Sequence, residues 1–189
     1  PLRLWPVADR SACAALLCPG AVLSQAALTD SQDLGGEALG SSAAAALRLR
    51  LTLVRLEGSG WTRERSLAVV REAGAILVQC GVALERVKIE SVAAPSHLDF
   101  STPAARELAR AHPVAKPAVY LVRATKSRPA FDAEAIGRGN SRTRPEIADT
   151  VWMTAGTRDP GIALAHELAH VLMDSGEHSE EEGNLMREE

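Results

Sequence analysis

From Leu47 the chain keeps a two-residue rhythm, with Leu47, Leu49, Leu51 and Leu53 alternating with Arg48, Arg50 and Thr52. That is the period of a strand with one buried face, and Gly58-Ser59-Gly60 marks its end. The rhythm then turns helical, as Leu67, Val70, Ala73, Leu77 and Cys80 recur on one face. Thr62 is placed to cap this helix. Glu64 lies in the first turn, where the helix dipole favours a carboxylate, and Gly81 offers a stop. Val87 and Ile89 alternate with Arg86, Lys88 and Glu90 as a second strand. The strand–helix–strand order predicts a parallel pair with a right-handed crossover.

Segment 95–117 is broken by Pro95, Pro103, Pro113 and Pro117, with room for one short helix around Ala104–Ala111. His97 and His112 of this segment are expected to be exposed. Ala118–Val122 is a continuous apolar run, the pattern of a buried central strand, and Tyr120 within it reads as core. Residues 126–146 read as a long loop and Ile147–Thr154 as a fourth strand. Asp159 is a candidate N-cap, followed by Pro160 at the first helical position. Leu164, Leu168, Val171 and Leu172 mark the buried stripe of this last helix. Before residue 47 the periodicity is weak and the segment ends in Gly, Ser and Ala, so residues 1–46 read as an N-terminal extension and connector.

Composition narrows the function. The chain has 189 residues, 46% hydrophobic and 24% charged, with only 3% aromatic, so its core must come mainly from Ala, Val and Leu. Its 21 basic and 24 acidic residues give a net charge of −3, which provides no basic field for nucleic acid. No apolar run reaches the ~20 residues of a membrane span. The first residue is Pro1, and Arg3, Asp9 and Arg10 interrupt the opening stretch, which does not read as an intact signal peptide. A secreted or periplasmic location is expected ahead of a cytoplasmic one. Cys13 and Cys18 are spaced for a small disulfide loop or two reduced thiols. Cys80 is expected to be a small core residue.

The chemistry sits near the C-terminus. His166-Glu167-Leu168-Ala169-His170 is an H-E-x-x-H sequence. Residues four apart on a helix share a face, so both imidazoles can reach one metal ion, while Glu167 lies beside it as a base rather than a ligand. A catalytic zinc needs a third protein donor. Asp174 continues the stripe but would lie about 12 Å along a straight helix from His166. Gly176 can end the helix at positive φ, so the chain turns back and His178 is the first imidazole to return. Asp174, Glu177 and the run Glu180-Glu181-Glu182 are the acidic alternatives, the run reading better as a solvated loop.

With its neighbours the motif resembles the metzincin clan of zinc metallopeptidases, over the stretch HELAHVLMDSGEHSEEEGNLM from His166 to Met186. The clan pattern is H-E-x-x-H-x-x-G-x-x-H followed by a methionine-containing turn. The similarity extends over residues 47–186. It implies a zincin-like α/β (α+β) domain over 47–189, with a mixed, mostly parallel sheet of about four strands. A backing helix, an active-site helix and a very short C-terminal subdomain complete it. It further implies Zn2+ held by His166, His170 and His178, Glu167 as general base and acid, and Met186 in the methionine turn. The strand with Val151, Trp152 and Met153 is then the edge that pairs with an extended peptide or protein substrate. Met173 stands where the clan has glycine, and the third histidine comes two residues late.

The function implied is zinc-dependent endopeptidase action through a metal-bound water activated by Glu167. A zinc-stabilised binding module without activity, or an amidase acting on another class of substrate, would use the same residues. In some relatives an N-terminal thiolate keeps the metal latent, a role open to Cys18.

Overall fold

The computed structural model describes residues 26–39, 45–138 and 142–187, so Cys13 and Cys18 lie outside the described residues. Among the described residues, eight strands and three α-helices are ordered β1 (Ala27–Gly35), β2 (Leu47–Leu56), α1 (Arg63–Leu77), β3 (Val82–Ala93) and β4 (Asp99–Phe100). Then come α2 (Thr102–Ala111), β5 (Ala118–Val122), β6 (Ala124–Thr125), β7 (Ala133–Ile136), β8 (Thr150–Thr154) and α3 (Pro160–Met173). Six strands form one sheet in the order β1-β3-β2-β5-β8-β7, and β4 and β6 form a separate short pair. The four inner strands β3, β2, β5 and β8 are mutually parallel. The two outer ones, β1 and β7, run antiparallel to their neighbours. This is a mixed α/β fold with a mainly parallel sheet.

Each face of the sheet carries its own core. On one side Leu51, Leu53, Val119, Leu121, Val151 and Met153 pack with Val70, Ala73 and Leu77 of α1 and Leu164, Leu168 and Val171 of α3. On the other, Val54, Val92, Tyr120 and Trp152 pack with Ala105 and Leu108 of α2. The few aromatics are concentrated there: the Trp152 ring stacks on Tyr120 at 4.2 Å and meets Phe100 edge-on. The local signals behave as their chemistry requires. The Thr62 side chain accepts the Arg65 N–H, and Gly81 takes φ 77°, which suits a residue without Cβ. At Gly161 the first turn of α3 meets α1 closely, since a Cβ there would lie 2.4 Å from Cγ of Glu72.

Several expectations are corrected. Residues 27–35, read as part of a connector, form β1. They pair along most of β3 although their side chains are largely exposed. The expected loop 126–146 contains β7. The strand with Val151, Trp152 and Met153 lies inside the sheet between β5 and β7, and every residue of it is buried. It therefore presents no free edge; β7 does. Cys80 is exposed in a 3-10 turn after α1, because the chain tightens before the helical stripe would have buried it. His97 is buried with Nδ1 2.9 Å from Ser96 Oγ, and His112 sits against the buried Glu90 at 2.6 Å. Leu172 is exposed, one position past the face of α3 that meets the core. Asp159 precedes α3 but takes φ 42°, and its side chain makes no capping bond.

Candidate metal centre

α3 presents its buried stripe to α1 and the sheet, and this fixes the rotation of the helix. Leu164 and Leu168 are fully buried, so His166, Glu167 and His170 are turned toward the sheet margin where β7 runs. After Met173 the helix ends in a Schellman-type turn. The Asp174 N–H donates to the Val171 carbonyl and the Ser175 N–H to the His170 carbonyl, with Asp174 itself at φ 50°. Asp174, not Gly176, supplies the left-handed residue. Aspartate tolerates that conformation better than most side chains, and its Oδ1 accepts the Arg138 N–H at 3.0 Å.

The turn brings His178 back over the helix. His170 Nε2 lies 2.9 Å from His166 Nε2 and 3.2 Å from His178 Nε2, and one donor atom of each residue falls within 4.8 Å of the others. Asp174, Glu177 and Glu180–Glu182 do not join this group. The outer nitrogens are anchored to main chain: His166 Nδ1 is 2.8 Å from the Leu185 carbonyl and His170 Nδ1 is 2.7 Å from that of Ser175. A carbonyl can only accept, so each Nδ1 carries the proton and each Nε2 directs a lone pair inward. Two such lone pairs at 2.9 Å repel each other unless a proton or a metal ion lies between them. A shared cation turns that repulsion into attraction. Nitrogens about 2.0–2.1 Å from a tetrahedral zinc stand about 3.3 Å apart, so the donor set fits such an ion.

Burial shifts the remaining groups consistently. Desolvation lowers the His170 pKa, against the pull of the Ser175 carbonyl and helped by the two neighbouring imidazoles, so the ring favours its neutral form. Desolvation raises the Glu167 carboxyl above the ordinary range. His166 and the Ala135 main chain oppose that shift, and Glu134 adds to it. The centre opens into a cleft of about 300 Å³ lined by His166, Glu167, His170 and His178 on one side and by Ala133, Glu134 and Ala135 of β7 on the other.

Residues 179–187 close the lower side. The Ser179 N–H donates to the Met186 carbonyl at 2.8 Å, and Leu185 packs on the core that holds α3. Met186 is half-buried beside Leu185, whose carbonyl orients His166. The orienting carbonyls of Ser175 and Leu185 carry no sequence signature, since any residue has one. β7 left only a four-residue alternation, Ala133-Glu134-Ala135-Ile136, too short to separate from the loop around it.

No protein-family model matches the chain, and no curated protein does. In three dimensions it is similar to the crystal structure of metalloproteinase-II from Bacteroides fragilis, with a TM-score of 0.50 at 16% sequence identity. The likeness covers 80% of this chain and 53% of that one, so the chain spans about half the length of the structure it matches. What the two share is the fold, a mixed α/β architecture found in a metalloproteinase, here with three imidazoles gathered at its margin.

Proposed function

We propose that the chain is a zinc-dependent endopeptidase of the metzincin kind, with His166, His170 and His178 holding the metal and Glu167 acting as general base and then acid. The observation that carries this reading is the convergence of three Nε2 atoms, two of them fixed as lone-pair donors by main-chain carbonyls, beside a half-buried carboxylate in an open cleft. Three imidazoles that leave a coordination place open are the donor set of a catalytic rather than a structural zinc. When bound, zinc supplies a Lewis acid that polarises the scissile carbonyl and makes water acidic. Glu167 takes the proton of the attacking water and returns it to the leaving amine. Met186 serves as the methionine-turn residue under the histidines.

The substrate lies as an added strand along β7, in place of the inner strand expected from the sequence. Thr154 N–H donates to the Asp132 carbonyl at 2.8 Å, and the register runs on as Ala133 beside Met153 and Ala135 beside Val151. Ladder bonds alternate in an antiparallel pair, so the N–H and C=O groups of Ala133 and Ala135 face away from β8 and toward the cleft. The Glu167 carboxylate already takes the Ala135 N–H, which leaves both groups of Ala133 and the Ala135 C=O for an extended peptide.

The test compares wild type with Glu167→Gln, using metal analysis and hydrolysis of unstructured proteins. The variant is expected to keep one zinc per chain and lose about 10²–10⁴-fold in turnover. Cleavage by the wild type should stop with a chelator and return with zinc. Undiminished hydrolysis by Glu167→Gln would sink the mechanism, and a folded, zinc-loaded wild type that cleaves nothing would make the chain a binding module instead.

A further inference from the structure

We propose that Glu134 makes the cleft prefer peptides that carry lysine or arginine at the position paired across from it. This rests on the hydrolase reading above, in which substrate adds to the free side of β7. Ala133 and Ala135 pack toward the core shared with α3, so Glu134, of opposite parity, projects from the other face of the strand. A strand laid along β7 brings one of its own side chains opposite Glu134 on that face, with Cβ atoms about 4.5–5.5 Å apart. Opposite charges at such a pair attract and like charges repel.

The surroundings leave that role to Glu134. Among the described residues that line the cleft, none is lysine or arginine. Of its three carboxylates, Asp174 already accepts the Arg138 N–H and Glu167 stands at the histidines. Glu134 is exposed and makes no ion pair among the described residues. A cationic substrate side chain is the partner the strand lacks.

A synthetic peptide library randomised on both sides of a fixed core, incubated with zinc-loaded wild type, Glu134→Gln and Glu134→Arg, tests this by mass spectrometry of the products. Wild type should enrich Lys and Arg about two- to fivefold at one position. Glu134→Gln should lose that enrichment, and Glu134→Arg should replace it with Asp and Glu at the same position. A structural role for Glu134 would not invert the preference. The same cleavage profile from all three proteins would overturn the proposal while leaving the hydrolase intact. A library left whole by the zinc-loaded wild type would overturn the hydrolase reading, and this preference with it.

Discussion

The three histidines come from two unlike regions. His166 and His170 ride on α3, whose Leu164 and Leu168 are fully buried, so helix geometry and core packing place them together. His178 stands exposed on the segment after the helix. It is positioned by one left-handed aspartate, two main-chain bonds of the turn and the Asp174–Arg138 contact. The difference teaches where a metal centre keeps its rigidity. The helix provides two donors whose spacing cannot drift, and the turn provides a third whose approach can adjust. The turn is also tied to the helix through His170, whose Nδ1 holds the Ser175 carbonyl.

That tie gives the largest expected effect on metal binding. His170→Ala removes a donor and releases the turn that carries His178, whereas His178→Ala removes a donor alone. Competition with a calibrated chelator should therefore show His170→Ala binding zinc about 10–100-fold more weakly than His178→Ala, the usual cost of losing an orienting contact. Equal affinities would mean that the two regions are not coupled through this bond.

The packing beneath the helix bears on folding rather than on metal affinity. Leu168→Ala empties a fully buried site between His166 and His170 and should cost about 2–5 kcal/mol in denaturant unfolding of the metal-free protein. A loss below 1 kcal/mol would show that the core does not set the orientation of α3.

The smallest effect tests the turn. Asp174→Ala gives up the Arg138 N–H acceptor and places alanine at φ 50°, which should cost about 1–2 kcal/mol. Asp174→Gly keeps an easy left-handed backbone and should cost less. Both should bind zinc with a full set of histidines, as metal analysis will read. Loss of the ion from Asp174→Gly would return Asp174 to the list of ligands.

Local order was readable because local forces produce it. The Leu-Arg alternation became β2, the Thr62 cap and Gly81 stop bounded α1 and its 3-10 extension, and the apolar run 118–122 became a wholly buried strand. Besides the two-residue strands β4 and β6, the strands that escaped notice, β1 and β7, are polar or alanine-rich pieces at the sheet margins. Their conformation comes from hydrogen bonds to β3 and β8 rather than from their own side chains. His97 and His112 misled for the same reason, since their burial depends on Ser96, Glu90 and the packing of α2 rather than on nearby prolines.

The linear chain by itself determined that His166 and His170 share one helix face with Glu167 about a quarter-turn round it, because a helix rises 1.5 Å per residue and turns once every 3.6 residues. Only the folded molecule decided which strand borders them, which residue turns the chain toward His178 and which carbonyls orient the rings. Those choices join segments as far apart as Ala135 and Glu167, or His166 and Leu185, and such meetings are set by how whole elements pack. No neighbour in sequence carries that information.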